Sequence, residues 1–279
     1  MPNEYTSSQN NACDLMGPSI ARPGTWSPPK PAPGLTWQIQ LNSKVNLNHN
    51  VSIFDIDLFQ NTKYDVAELH RRGIYVICYF SAGTWEPLRD DLDNFNRTAP
   101  GLHYDDPSGH FKEEQWFNTT DPVVRDGMAK RILRVKNMGC DAVDPDNVDT
   151  YDNETGFNAK PENVETDKQT SIDYISFLSN ITHKASMQMS LKNAPEIVDY
   201  VIHMVDFQVN ENCANSTQCW KFRKFIADGR PLFEIEYPTY LDANSTVKSV
   251  DKAEWARLFK DNKEQGEGNM GFSTAFEGH

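Results

Sequence analysis

The sequence predicts an α/β protein in which eight parallel strands close into a (β/α)8 barrel of the TIM type, as a single domain behind a Pro-rich N-terminal tail. Short apolar runs that end in polar residues recur along the chain, and helical patterns separate most of them. Eight such runs in 279 residues suit a closed barrel. The chain has no G-x-G-x-x-G or Walker A sequence, which disfavours an open nucleotide-binding sheet.

The predicted elements follow a tail. Residues 1–35, rich in Pro, Gly, Ser and Asn, predict a spacer, and residues 36–279 predict the barrel domain. The predicted strands lie, in order, at 36–41, 52–59, 74–80, within 140–149, and at 187–191, 206–209, 232–235 and 270–275. The predicted helices lie near 65–72, 122–138, 172–181, 195–204, 220–226 and 253–259. Segment 84–119, with many aromatic and acidic residues, predicts an excursion over one face of the barrel.

Local signals define the helix before the fourth strand. Thr120, Asp121 and Pro122 supply a capping group and a proline in the first turn. Gly139 is the residue type that commonly follows a helix C-terminus. The chain is therefore expected to leave this helix at Gly139 and to enter a short buried strand.

Carboxylates crowd the end of that fourth strand, since Asp141, Asp144, Asp146 and Asp149 fall within ten residues. Asp also favours turns, so the cluster alone fits a plain turn equally well. Polar residues end other predicted strands too, at Gln40, Asp57, Ser81, Lys192, Asn193, Asn210, Glu211, Glu236 and Tyr237. The carboxyl ends of barrel strands share one face, so the pattern predicts a cleft lined by carboxylates.

Several other chemistries are disfavoured. There is no G-x-S-x-G, H-E-x-x-H or C-x-x-C sequence, and the histidines fall mostly outside the predicted strand ends. Asp144-x-Asp146 resembles the start of a calcium loop and also the chitinase-type D-x-x-D-x-D-x-E motif, but Val148 stands where a ligand or the catalytic Glu would be. We therefore expect no metal and no cofactor. Glycoside hydrolysis by two carboxylates remains, and Trp37, Tyr151 and Tyr237 are aromatic candidates for sugar stacking.

Charge and composition limit the classes of partner that the protein is expected to bind. The formal net charge is −13, from 40 acidic against 27 basic residues. This balance disfavours nucleic acid and anionic membranes, and it suits a cationic partner. No run approaches the roughly 18 apolar residues of a membrane span. We expect a monomer.

Two features predict a secreted or cell-surface protein. Asn-x-Ser/Thr occurs at seven sites, more than random placement would give, and predicts N-glycosylation at Asn50, Asn96, Asn118, Asn153, Asn180, Asn215 and Asn244. Cys213 and Cys219, six residues apart in a polar stretch, predict a disulfide. Cys78 and Cys140 fall in predicted strands and are expected to be buried thiols, and Cys13 lies in the tail.

Several segments between residues 37 and 240 resemble one known family. They are Trp-Gln-Ile-Gln-Leu (37–41), Phe-Asp-Ile-Asp-Leu-Phe (54–59), Cys-Tyr-Phe-Ser-Ala-Gly (78–83), Glu-Gln-Trp (114–116), Gly-Cys-Asp-Ala-Val-Asp-Pro-Asp-Asn-Val-Asp (139–149), Leu-Lys-Asn (191–193), Val-Asn-Glu-Asn-Cys (209–213) and Glu-Tyr (236–237). In this order they resemble glycoside hydrolase family 114, the endo-α-1,4-polygalactosaminidases. The resemblance implies a (β/α)8 barrel that cleaves α-1,4-linked galactosamine polymers such as galactosaminogalactan.

The resemblance also implies site residues. Its catalytic pair corresponds to Asp146, as nucleophile, and Glu211, as acid/base. The implied substrate-binding residues are Asp57, Asp144, Lys192, Asn193, Glu236 and Tyr237, and the aromatic candidates Trp37 and Tyr151 are added to them. The expected partner is a cationic galactosamine-containing polysaccharide. Two alternatives stay open: a catalytically inactive barrel that binds such a polymer, and a hydrolase of another amino-sugar polymer such as chitosan.

Overall fold

A computed structural model describes residues 30–105, 111–158, 164–214 and 216–236, and the backbone of 272–276. The strands, in chain order, are β1 (Trp37–Gln40), β2 (Ile53–Asp57), β3 (Tyr75–Ser81), β4 (Thr84–Trp85), β5 (Gln115–Trp116), β6 (Ala142–Asp146), β7 (Gln188–Lys192), β8 (Phe207–Glu211), β9 (Leu232–Glu236) and β10 (Phe272–Phe276). The α-helices are α1 (Lys63–Arg71), α2 (Pro122–Met138), α3 (Val164–Lys184), α4 (Val198–Val201) and α5 (Arg223–Ala227). Short 3-10 helices cover Leu92–Phe95, Thr150–Asp152, Ile202–Met204 and Cys219–Phe222.

Eight strands form one sheet in the order β1-β2-β3-β6-β7-β8-β9-β10. Every neighbouring pair is parallel. The first and last strands of this order lie side by side, so the sheet closes nearly completely into a barrel. The predicted (β/α)8 fold is confirmed. Residues 1–29 and the predicted helix at 253–259 lie outside the described residues, so the predicted tail stays a prediction.

The helix boundaries follow from their capping residues. In α1, Asp65 accepts hydrogen bonds from the backbone N–H and the hydroxyl of Thr62, at 2.9 and 2.7 Å, which closes the N-terminal turn. In α2, Asp121 accepts the N–H of Val123 at 2.8 Å, and Pro122 occupies the first turn. Gly139 then ends α2 with a φ of 92°, a left-handed conformation that glycine adopts without a steric penalty.

Side chains alternate across each barrel strand and form two separate apolar clusters. The outer cluster packs the strands against the helices; on β2, β3 and β6 it takes Phe54, Val76 and Val143. The inner cluster fills the barrel near the amino ends of the strands and consists of Trp37, Ile39, Ile53, Tyr75, Ile77, Ala142, Phe207, Val209, Phe233 and Ile235. Further along the same inward rows, the residues become polar. The barrel interior is therefore apolar towards the amino ends of the strands and polar at their carboxyl ends.

Two disulfides cross-link the barrel. Cys213 pairs with Cys219, as predicted. Cys78 and Cys140 are both buried, but the expectation of thiols was wrong, because they form a second disulfide with a Cα–Cα distance of 6.1 Å. The bond forms because β3 and β6 are neighbours in the sheet, with Cys78 beside Val143, although 62 residues separate the two cysteines in the chain.

The predicted excursion contains a small ribbon. β4 and β5 pair antiparallel, with Thr84 opposite Trp116. The ribbon follows directly from the end of β3, because Phe117 donates its N–H to the carbonyl of Gly83 at 2.8 Å. It therefore holds part of the excursion over the carboxyl ends of the strands. None of the helices in the described part of the chain is long and apolar enough to cross a membrane.

Candidate active site

The carboxyl ends of the barrel strands form a polar bowl. The inward rows end in Asp55 and Asp57 on β2, Tyr79 and Ser81 on β3, Asp144 and Asp146 on β6, Ser190 and Lys192 on β7, and Glu211 on β8. Asp144 and Lys192 are fully enclosed, whereas the side chain of Asp146 is 17% exposed and Glu211 is half-buried. The two solvent-accessible carboxylates thus sit above a buried charged layer.

Three groups present hydrogen-bond donors or positive charge to the Asp146 carboxylate. The Tyr79 hydroxyl donates to Oδ2 at 2.9 Å, and the N–H of Asn147 donates to Oδ1 at 2.8 Å. The ammonium of Lys192 lies 3.7 Å from Oδ2. Burial nevertheless raises the pKa of Asp146; Lys192 opposes this shift, and the charges of Glu211 and Asp144 add to it.

Lys192 is the buried cation at the centre of the bowl. It lies 3.3 Å from Asp144 as well as 3.7 Å from Asp146, and its ammonium stands over the Tyr79 ring at 5.0 Å. Burial alone would lower the pKa of Lys192, but the surrounding carboxylates, Asp144 first, outweigh burial and raise it well above its usual value. Lys192 therefore stays protonated and offsets part of the negative charge.

Asn193 orients Glu211. Its Oδ1 accepts the backbone N–H of Glu211 at 2.9 Å, and its Nδ2 donates to the Glu211 carboxylate at 3.4 Å. Asn210 also donates to the same Oδ1, at 3.2 Å. One amide side chain thus fixes both the strand end and the carboxylate that extends from it.

A left-handed asparagine follows three of these strand ends. Asn147, Asn193 and Asn212 have φ values of 58°, 48° and 58°, and they directly follow Asp146, Lys192 and Glu211. Asn tolerates this conformation better than most residues with a side chain. Such backbone costs on the order of 1 kcal/mol at each position, so the surrounding contacts must hold it in place.

The turn after β3 locks the turn after β6. Ala82 and Gly83 donate their N–H groups to the carbonyl of Asp146 at 2.8 and 3.2 Å. Asn147 donates from its side chain to the Ser81 hydroxyl at 2.9 Å. A Cβ at position 83 would lie only 1.8 Å from the Asn147 carbonyl oxygen, so only glycine allows this approach. Asp146 is consequently fixed by backbone contacts as well as by its side chain.

The other predicted site residues are only partly brought together with this pair. Asp144 lies below Asp146, as described. Asp57 faces the bowl, but its carboxylate is engaged by the N–H groups of Phe59 and Gln60, at 2.7 and 2.8 Å, and by Arg89 at 2.8 Å. Its direct role in the structure is therefore to anchor the loop that carries Arg89.

Three predicted residues lie away from Asp146 and Glu211 or outside the described residues. Trp37 sits in the inner apolar cluster, with its ring 5.2 Å from that of Phe233. Glu236 follows the inward Ile235, so it faces outward, and it accepts the N–H of Ala214 at 2.7 Å. Tyr237 lies outside the described residues.

Tyr151 belongs to the loop after β6. It is 7% exposed, packs in the outer cluster, and donates its hydroxyl to Glu196 at 3.0 Å. It stands close enough to Asp149 for that carboxylate to contribute to raising its pKa, after burial as the larger cause. The structure thus places it beside the bowl, with most of its ring covered.

Tyr104, Glu114 and Asp149 are bowl residues outside the set predicted from the sequence. Tyr104 comes from the excursion and stacks near Trp116 at 5.3 Å; burial and then Asp146, Asp149 and Glu211 raise its pKa. Burial and neighbouring acids also raise the pKa of both Glu114 and Asp149 to about 7. Glu114 and Asp149 lie in segments that carry the family resemblance, but neither directly follows an apolar run, which is the signal that marks most of the predicted site residues.

One cluster outside the bowl consists of residue types that can bind a metal ion. Cys213, Cys219, Glu234 and Glu236 offer atoms within 4.8 Å of one another. The two cysteines are joined in a disulfide and supply no thiolate. The remaining pair of carboxylates does not make a site for a soft metal.

A family model, glycoside hydrolase family GH114, matches residues 18–277. The chain belongs to this family. The protein is therefore a glycoside hydrolase. The GH114 match begins within the predicted tail. No match was found among curated proteins.

Two solved structures illustrate the relationship. Ega3 of Aspergillus fumigatus, solved in complex with galactosamine, is 36% identical, with a TM-score of 0.76, and the alignment covers 91% of this chain and 96% of that one. The glycoside hydrolase domain of PelA from Pseudomonas aeruginosa has a TM-score of 0.63 at 13% identity, covering 88% of this chain and 94% of that one. The PelA comparison supports the fold alone.

Proposed function

We propose that this GH114 chain is an endo-acting hydrolase of α-1,4-linked galactosamine polymers and that Asp146 and Glu211 carry the reaction. The observation that carries the proposal is the pair of partly exposed carboxylates at the ends of β6 and β8, on either side of the β7 residue Lys192. Similarity to Ega3, which was solved with galactosamine, supports the substrate class.

Asp146 is the better nucleophile of the two. Tyr79, Asn147 and Lys192 all present donors to it, so its anion is stabilised and its position is fixed. In the proposed first step, an Asp146 oxygen bonds to the anomeric carbon as the bond from that carbon to the glycosidic oxygen breaks, and Glu211 gives its proton to the departing oxygen. Water, deprotonated by Glu211, then releases the sugar from Asp146. This sequence retains the anomeric configuration.

The substrate's amines suit the charge of the bowl. Free galactosamine residues are cationic near neutral pH, and Asp146, Asp149, Glu211 and Glu114 lie close enough to interact electrostatically around Tyr104. A polyanionic cleft raises the local concentration of a polycation and speeds its encounter with the enzyme. Position 148 is Val, so the chain lacks the catalytic glutamate of the chitinase-type motif. That motif serves a mechanism in which the N-acetyl oxygen of the substrate takes part, and a free galactosamine has no such group.

The direct test compares two polymers. Wild-type protein is incubated with partly deacetylated galactosaminogalactan and, in parallel, with chitosan, and the released oligosaccharides are sized by mass spectrometry. The proposal expects short galactosamine oligomers from the first polymer and at most trace products from the second. Binding to both polymers without release of products from either would instead support an inactive binding barrel.

We further propose that the chain is secreted and N-glycosylated. Two disulfides fit an oxidising compartment, and the acceptor residues Asn50, Asn96 and Asn180 are exposed. The proposal expects a mass decrease on endoglycosidase treatment of protein made in a eukaryotic secretory host. Size-exclusion chromatography with light scattering tests the expected monomer on the same sample.

A further inference from the structure

Asp55 is a buried acid that the reaction outlined above does not use. It lies on β2 with an exposed fraction of 0%, in the inward row between Ile53 and Asp57. Neither of its carboxylate oxygens has a hydrogen-bond donor among the described residues. An ionised carboxylate buried without a donor is strongly unfavourable, so its environment requires an explanation.

The neighbour that faces Asp55 is another acid. Its carboxyl group is within hydrogen-bonding reach of that of Asp144, and the charged groups that act on it are Asp144 and Asp146 on β6 and Lys192 on β7. Burial, and after it Asp144, raise the pKa of Asp55 well above its usual value. Two adjacent carboxylates in such a place share a proton rather than both ionising.

The donors around the two acids indicate which of them is the better proton carrier. Asp144 accepts from the Ser190 hydroxyl through Oδ1 and from the Lys192 ammonium through Oδ2 at 3.3 Å. Both contacts favour its anion. Asp55 receives no comparable donor within the described chain, so it gains more from carrying the proton and donating it to Asp144.

We propose that Asp55 is a positioning residue held as a neutral acid, whose O–H donates to Asp144 and thereby leaves Lys192 shared between Asp144 and Asp146. The inference rests on the proposed role of Asp146. With Asp55 neutral, the enclosed layer holds one anion, Asp144, against one cation, Lys192. An ionised Asp55 would add a second anion and draw the ammonium away from Asp146, which stands 3.7 Å from it.

Two variants of similar volume test the proposal, because only one of them keeps a hydrogen-bond donor at position 55. Asp55→Asn keeps an N–H donor toward Asp144, so kcat is expected to fall less than about threefold, with an unshifted pH profile. Asp55→Leu removes the donor at similar volume and is expected to lower kcat about 10- to 100-fold with little change in KM. Asp144→Asn is the matched control on the other acid, and it is expected to lose much more activity than Asp55→Asn because it leaves Lys192 without its buried anion.

A spectroscopic measurement makes the test independent of activity. Infrared difference spectra of wild type against Asp55→Asn, from about pH 5 to about pH 8, are expected to show a protonated carboxyl band throughout that is absent in the variant. No such band, or a pH profile displaced in Asp55→Asn, would overturn the inference. Thermal unfolding of each variant confirms that it is folded. Loss of polymer hydrolysis by wild type would refute the proposed function but would leave this band in place.

Discussion

At the scale of single residues, Asp146 and Glu211 occupy equivalent strand ends but have different surroundings. Asp146 receives a phenol, a backbone N–H and an ammonium. Glu211 is contacted by the amide of Asn193. The donors around Asp146 stabilise its anion, which suits a nucleophile. The amide of Asn193 orients the Glu211 carboxylate, which suits a group that must transfer a proton at a fixed position. This asymmetry is the structural basis for assigning different roles to two acids.

Asn193 is expected to support catalysis by orienting Glu211, and not only by contacting the polymer. Asn193→Gly keeps the left-handed backbone accessible and removes both contacts to Glu211, so kcat is expected to fall roughly 10- to 100-fold while KM changes little. Asn96→Gly, at an exposed position far along the excursion, is the matched control and should leave kcat unchanged. A rise in KM with normal kcat would show instead that Asn193 serves substrate binding.

Lys192 is expected to set the acid limb of the pH profile. Its charge lowers the pKa of Asp146, so Lys192→Met lets that pKa rise further. Asp146 must be ionised to attack, so activity is then lost at a higher pH as the solution is acidified. The pH dependence of kcat/KM measures this shift, with Lys130→Met, a half-exposed lysine of α2, as the control. An unmoved acid limb would contradict the assignment of Asp146 as nucleophile.

At the scale of elements, the barrel strands were predictable from the sequence to within a few residues. Apolar runs ending in polar residues mark them, and Gly139 and Pro122 mark the ends of α2. β4 and β5 were not predictable, because strands of two residues carry no periodic signal. The position of Tyr104 was therefore not predictable either, because it depends on the folded ribbon, where the Tyr104 ring packs near Trp116.

Which face a strand residue takes was harder to predict than the strand itself. Glu236 ends β9 as expected, yet the inward Ile235 directs it outward. Asp55 carries no strand-end signal, because it lies inside a continuous buried run rather than at its end. The register between neighbouring strands determines the direction of both side chains. The sequence of one strand carries little information about how that strand pairs with its neighbours.

The Cys78–Cys140 disulfide is expected to stabilise the barrel more than the Cys213–Cys219 disulfide. In the chain-entropy view, the bond whose cysteines are 62 residues apart contributes about 4 kcal/mol, against about 2 kcal/mol for the bond spanning six residues. The two double Cys→Ala variants, unfolded in urea beside wild type, measure the difference. Equal losses of unfolding free energy would show that packing around the cysteines, rather than the cross-link, dominates.

At the scale of the whole molecule, the net charge of −13 and the acidic bowl act together on a polycationic substrate. The charges are spread over the chain, so the long-range attraction was evident from composition. The local concentration of acids around Tyr104 was not, because it depends on how the excursion folds over the strand ends.

The substrate affinity is expected to depend on salt. Raising ionic strength from about 0.01 M to about 0.15 M shortens the screening length from about 30 to about 8 Å, so KM for a deacetylated polymer should rise. Binding of a fully N-acetylated oligosaccharide, which carries no amine charge, is the control, and its dissociation constant should change little with salt. A salt-independent KM for the cationic polymer would contradict electrostatic capture.

The central claim is that Asp146 and Glu211 together hydrolyse a galactosamine polymer. The most direct measurement compares wild type, Asp146→Asn and Glu211→Gln for both release of oligomers from partly deacetylated galactosaminogalactan and binding to it. We expect each variant to lose at least about 1000-fold in kcat while still binding the polymer, since each removes one half of a two-carboxylate mechanism. Oligomer release by either folded variant at the wild-type rate would contradict the account.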